Sequence, residues 1–300
     1  MDGLILTSIE REMISFSKLG NYGRLGNQLF QYAFLRVTAE RLRTTFFCPA
    51  WEGDQIFDLR DEAIRADAPR GILHYFDPAP EGGFCAPALE IADNTEIQGF
   101  FQSDKYYPDK TLVKSWYSFR PEIVGYVESL FPQSLLENAV SISLRLDKDY
   151  ADTREYFPLY PPSYYRRGLK RAAATGPVLV FADRPDLAKT FITSVVAHEC
   201  ILVEGLNPHQ QLYLMTRCRG NVITNSTFAW WGAWLNSRDD RIIVAPATWC
   251  RPGVPNGISS ILPDEWVQVR GTVPVWDNFH FWRIRHLKET GRRIMARRRH

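Results

Sequence analysis

The sequence predicts an α/β fold in two units, the second of them a doubly wound parallel sheet. Residues 139–245 alternate short apolar runs with helical stretches, the pattern of strands joined by helical crossovers. Residues 13–36 pass from an apolar strand through a glycine-rich turn into a helix, as in a mononucleotide-binding unit. A chain of 300 residues with 45% hydrophobic content can bury two such cores. Phe131-Pro132-Gln133 reads as the hinge. That divides the chain into an N-terminal unit over 1–132, a C-terminal unit over 133–280 and a basic tail over 281–300.

In chain order, Met13-Ile14-Ser15-Phe16-Ser17 is the first core strand. Gly20, Gly23 and Gly26 punctuate the loop behind it, and Leu29, Phe30, Ala33, Phe34 and Val37 then recur at helical spacing. Gly-x-x-Gly without further glycines is a poor dinucleotide fingerprint. These glycines either make a tight turn or let the amides of Asn27 and Gln28 come close to a ligand. Thr45–Cys48 and Ile72–Phe76 are short apolar runs between polar loops. Glu96–Phe101 reads as a strand, Gln102–Tyr107 as the start of a helix, and Pro121–Leu130 as a helix closing the first half. In the second half the strands are Ala139–Leu146, Val178–Ala182, Ile201–Val203, Val222–Thr224 and Ile242–Ala245. Helices lie between them near Ser163–Ala174, Asp186–Ala197, His209–Cys218 and Phe228–Leu235.

Composition narrows the class. No apolar run approaches a membrane span, and the first residues lack a basic leader. Five scattered cysteines without a Cys-x-x-Cys pair suit reduced, buried thiols in a cytoplasmic protein. Residues 281–300 hold eight Lys/Arg against one Glu, a balance of +7 in a chain of net +2, so the preceding 280 residues carry −5. An acidic body argues against nucleic acid. The tail is either a solvated end or a weak contact with an anionic membrane, peripheral at its inner face.

In a doubly wound sheet, ligands bind beyond the carboxyl ends of the strands. Arg145, Asp183 and Asn225-Ser226-Thr227 all fall there. Arg145 interrupts an apolar strand: it either pairs with a core carboxylate or presents a guanidinium fork to phosphate oxygens. Asp183 either accepts from a nucleoside or caps the following helix. Asn225, Ser226 and Thr227 stand where a helix N-terminus offers unpaired N–H groups to a phosphate, although an ordinary capped core helix fits the same residues. Trp230, Trp231 and Trp234 on that helix suit a core better than a sugar platform. Asp147-Lys148-Asp149 matches a short Asp-x-Asp metal pattern, but Lys148 and Arg145 already supply positive charge there. His74, His198 and His209 are isolated.

Several blocks carry a family resemblance. Gly23-Arg24-Leu25-Gly26-Asn27-Gln28-Leu29-Phe30-Gln31-Tyr32-Ala33, Gly99-Phe100-Phe101-Gln102-Ser103-Asp104-Lys105-Tyr106 and Asn225-Ser226-Thr227-Phe228-Ala229-Trp230-Trp231-Gly232-Ala233-Trp234-Leu235 resemble the α-1,2-fucosyltransferases of glycosyltransferase family 11. Leu212-Tyr213-Leu214-Met215 and Ile242-Ile243-Val244-Ala245-Pro246 add to it. The resemblance implies a GT-B-like fold, with two Rossmann-type domains facing a cleft. It also implies inverting transfer of L-fucose from GDP-fucose to a glycan hydroxyl, with no metal and no other cofactor. By the same resemblance Arg145 contacts the diphosphate and Asn27 lies near the sugar and acceptor. Gly26, Gln28, Asp183, Asn225, Ser226 and Thr227 form the donor side. The family's His-x-Arg-Arg-Gly-Asp-Tyr motif is altered here: Ser143 stands for the histidine, Leu146 for the second arginine, and one residue is added before Asp149-Tyr150. Serine is too weak a base for the acceptor proton, which leaves Asp147 and Asp149 as candidates by position. A GDP-sugar-binding protein without turnover, or with another donor sugar, is the alternative.

Overall fold

In a computed structural model of the chain, residues 13–65, 72–77, 83–146, 157–195, 199–250 and 260–271 are described. The first sheet is parallel and contains β1 (Met13–Ser15), β2 (Thr45–Phe47), β3 (His74–Phe76) and β4 (Thr95–Ile97), in the order β2-β1-β4-β3. Helix α1 (Leu25–Leu42) follows β1. Next come α2 (Lys110–Trp116), whose start lies later than the expected Gln102–Tyr107 because Asp109 caps it, α3 (Pro121–Leu130) and α4 (Gln133–Leu136). The expected hinge is thus where a short helix starts behind Pro132, whose fixed φ suits the residue before a first turn.

The second sheet is also parallel: β5 (Val140–Leu144), β6 (Val178–Ala182), β7 (Cys200–Leu202), β8 (Gly220–Val222), β9 (Ile242–Pro246) and β10 (Val267–Val269). Helices α5 (Pro162–Arg171), α6 (Pro185–Ile192), α7 (Pro208–Arg217) and α8 (Thr227–Trp234) connect its strands. The order β10-β9-β8-β5-β6-β7 means the chain leaves β5 to one side and returns to the other. The crevice between the ends of β5 and β8 is therefore the topological switch point.

Several strands end earlier than their apolar runs, β4 and β8 among them. Gly99 (φ 150°) and Phe101 (φ 49°) turn the backbone out of the ladder after β4. After β8, Ile223 still donates to Val244 O at 2.9 Å, but the Thr224 N–H turns to the Ser143 hydroxyl at 3.2 Å. The halves share one aromatic core. Trp230 and Trp231 are fully buried, and Phe30 of α1 lies 4.5 and 4.9 Å from their rings. The tryptophans are core, as their helical spacing suggested. Further ties are Glu52–His209 at 3.0 Å and the Tyr213 hydroxyl donating to Glu128 at 2.7 Å. Cys48 and Cys218 are buried thiols, each pushed up to about 12 mainly by desolvation. Among the described residues, no helix is long and apolar enough to cross a membrane.

Candidate functional site

The site is organised by two helix N-termini that meet. Gly26 lies in the first turn of α1, and a Cβ there would stand 2.5 Å from the Phe228 backbone nitrogen and 2.6 Å from the Thr227 hydroxyl oxygen. Only a glycine lets the starts of α1 and α8 touch. The glycine-loop block and the Asn-Ser-Thr block, 200 residues apart in sequence, are thereby joined. Ser226 is the N-cap of α8, its hydroxyl facing the Ala229 N–H at 3.5 Å, and both Ser226 and Thr227 remain partly accessible. No side chain caps α1 at Arg24. Two positive helix ends thus lie side by side, and such ends suit an anion.

Around that contact, several expected ligand residues prove to hold loops. Gln28 is buried and donates from Nε2 to Gly20 O (3.2 Å) and Gly23 O (3.0 Å), closing the glycine loop on itself. Asn225 is buried and donates to Pro158 O (3.2 Å) and Trp249 O (3.0 Å), pinning two loops beside α8. Asn27 is half-buried, and its Oδ1 accepts from Gln102 Nε2 at 2.9 Å. Its Nδ2 occupies space that only Gly23 (φ 91°) leaves open, 2.7 Å from where a Cβ would stand. Gln102 was not singled out from the sequence. Its one signal lay inside the Gly99–Tyr106 block, whose strained backbone at Phe101 marks a segment held in a set shape.

At the switch point, Asp183 ends β6 and turns toward β5. Its Oδ1 accepts the Leu146 N–H at 2.7 Å, and Oδ2 lies 3.5 Å from Arg145 Nε. Of the two readings of Arg145, the pairing with a carboxylate is present, at the carboxyl edge of the sheet where about a fifth of each side chain is exposed. Asp183 does not cap α6. The N-cap there is Arg184, whose side chain forms no cap and instead pairs with Asp186 at 2.9 and 2.7 Å. That pairing holds the Asp186 carboxyl below its usual range. Ser143 is buried and ties β5 to the exit of β8 through Thr224, with their hydroxyls 3.5 Å apart. From α5, the Tyr164 hydroxyl donates to Ile223 O and that of Tyr165 to Ser143 O, bracing both strand ends. Burial pushes both phenols far up, so they remain neutral donors. Asp147 and Asp149 lie outside the described residues. Among the described residues, no group of three or more His, Cys, Asp or Glu could hold a metal ion. His74 is exposed, and His209 is spent on Glu52.

The two parallel sheets share their fold with solved fucosyltransferase-type structures. The structure of POFUT1 in complex with GDP-fucose superposes with a TM-score of 0.51 at 13% identity, covering 80% of this chain and 98% of that one. NodZ α-1,6-fucosyltransferase co-crystallised with GDP gives 0.51 at 12% identity, covering 74% and 91%. Residues 169–270 match the model of Glycosyl transferase family 11. The α-1,2-colitosyltransferase of Escherichia coli is 26% identical over 284 residues, 82% of this chain and 96% of its own. The O-antigen biosynthesis glycosyltransferase WbnK of Escherichia coli is 26% identical over 218 residues, 66% of this chain and 70% of its own. Over residues 169–270 the chain is thus similar to glycosyl transferase family 11, and the two Escherichia coli glycosyltransferases extend that similarity toward the N-terminal sheet.

Proposed function

We propose that the enzyme moves L-fucose, or colitose as the second candidate sugar, from its GDP carrier to a hydroxyl of a galactose-terminated glycan. Transfer forms an α-1,2 linkage, inverts the anomeric carbon and needs no metal. The observation that carries this reading is the contact of Gly26 with Thr227 and Phe228, which gathers two helix N-termini beside the β5–β8 switch point. Support comes from the relatives, a POFUT1 structure in complex with GDP-fucose and an α-1,2-colitosyltransferase.

In this reading residues 133–280 bind the donor and residues 1–132 face the acceptor. The acceptor oxygen attacks the anomeric carbon opposite the diphosphate while GDP leaves. Arg145, oriented by Asp183, and the N–H groups at Ser226-Thr227 stabilise the charge that grows on the leaving phosphate. Held in place before the reaction, they need no reorganisation as the bond breaks. Asn27 contacts the sugar or the attacking hydroxyl. Asp147 or Asp149 takes the proton.

Arg145→Ala is expected to lower transfer by about 100-fold or more, the scale of losing one such donor. The assay is release of GDP and linkage analysis, with GDP-fucose and GDP-colitose offered to a panel of galactose-terminated glycans. Near-normal turnover would remove Arg145 from the mechanism. A second reading, a GDP-sugar-binding protein without turnover, is favoured by the burial of Ser143 against Thr224 where the family motif has a histidine. GDP binding with no transfer from either donor would select it.

A further inference from the structure

The N-terminal sheet has its own switch point, between β1 and β4, and the two loops that leave it build an aromatic ledge. Tyr22 in the first loop stacks on Phe100 in the second, with ring centroids 4.6 Å apart and planes 9° from parallel. Gln31 clamps the two loops together from beneath, donating to Tyr22 O at 2.9 Å and Gly99 O at 3.1 Å. The first loop leads into Asn27 at the start of α1 and the second carries Gln102, so the ledge begins one residue from Gly23, against which the Asn27 amide lies.

The ledge continues along the sheet. Tyr75 of β3 is 61% exposed, and its hydroxyl donates to Gln98 Oε1 at 3.0 Å just ahead of Phe100. Tyr75 and Ser15 are register partners of Glu96, so all three share one face of the sheet. The Glu96 carboxylate is fixed by the Ser15 hydroxyl, by the Ser17 N–H (2.8 Å) and by the Ser17 hydroxyl (3.1 Å). Aromatic faces beside immobilised hydroxyl acceptors are the chemistry of a pyranose site: C–H faces lie on the rings and hydroxyls donate to the carboxylate and amide.

We propose that Tyr22, Phe100 and Tyr75, with Glu96, form an extended subsite for the second and third sugar rings of the acceptor oligosaccharide. The occupant is a neutral glycan chain rather than another protein, because the ring pair of Tyr22 and Phe100 sits on the segments that bring Gln102 to Asn27, which the proposed function places at the reacting terminal sugar. This deepens the acceptor side of the proposed function and rests on it.

The test is binding of galactose-, glucose- and N-acetylhexosamine-terminated oligosaccharides of one to four rings to the full chain with GDP present, followed by ligand-observed NMR. Affinity for the preferred series is expected to rise about tenfold from one ring to three, the scale of one or two aromatic stacking contacts. Tyr75→Ala, which removes nothing from the core, and Tyr22→Ala should flatten that dependence while leaving GDP affinity unchanged. The proposal is overturned if no series is bound, if wild type shows no length dependence, or if both variants keep it. It is also overturned if the variants alter only self-association. Length-dependent binding without sugar transfer would uphold the subsite and refute the transferase reading, so the two failures are distinct.

Discussion

An amide has a donor end and an acceptor end, and which one faces a substrate decides its chemistry. At Asn27 the choice is made by Gln102, whose Nε2 takes Oδ1 at 2.9 Å and leaves the NH2 end toward Gly23. In the proposed mechanism Asn27 would therefore offer its NH2 end as a hydrogen-bond donor. Gln102→Leu should lower kcat by about ten- to a hundredfold through misplacement of that amide, with KM for the GDP-sugar little changed. If Gln102 acts through Asn27, adding Gln102→Leu to Asn27→Ala should cost almost nothing more. Additive losses in that double-mutant cycle would show an independent, structural role. Asp183 stands to Arg145 as Gln102 does to Asn27. Each is a partner the sequence could not supply, because pairing across 38 or 75 positions leaves no local periodicity.

The decisive pair of elements is α1 with α8. A methyl group at Gly26 would meet the backbone of Thr227 and Phe228, which cannot rotate aside as a side chain could. Gly26→Ala should cost about 1–3 kcal/mol by overpacking and should weaken GDP binding as the helix ends part. Chemical denaturation and GDP titration would read the two effects, and unchanged values in both would refute the contact. A second prediction concerns α2. Lys114 lies 4.9 Å from the Trp234 ring centroid, and burial, with Arg241 and Lys110 nearby, lowers its pKa from 10.5 to about 8 against the pull of Glu265 and Asp104. Between those values the unfolded chain holds a proton that the folded chain has lost, so this residue makes stability rise as pH rises from about 8 toward 10.5. Below pH 8 the folded protein carries the buried charge at full cost. Lys114→Met should therefore raise Tm at pH 7, and its advantage over wild type should fade across that window. A constant difference in Tm would contradict the linkage.

For the whole molecule, catalysis should belong to the two-sheet body. Removing residues 281–300, which lie outside the described residues, should leave transfer to a soluble acceptor within about twofold, since a basic tail acts on membrane affinity rather than chemistry. Full activity in excess chelator is expected as well, and loss of it would restore a metal to the mechanism. Much of this architecture could be read from residues in order. The alternation after residue 139 announced β5 to β9, with β6 (Val178–Ala182) and α3 (Pro121–Leu130) found at the expected bounds. Buried parallel strands need continuous apolar runs and their helices need apolar stripes, and both are local patterns. The first half was less legible, because its strands span three residues each and Phe101 leaves the ladder in a conformation that side chains rarely adopt.

By itself the sequence determined the fold class, the apolar core helices with their tryptophans, and the carboxyl ends of the strands in the second half, since propensity and periodicity act over a few neighbouring residues. Only the tertiary structure decided which groups at those ends meet. It put Gly26 against Thr227, gave Asp183 to Arg145 instead of to a helix cap, turned Gln28 and Asn225 into loop clamps, and set Gln102 behind Asn27. Those outcomes depend on backbone distances of a few ångströms between segments far apart in the chain, and such distances exist only once both sheets have packed onto their shared aromatic core.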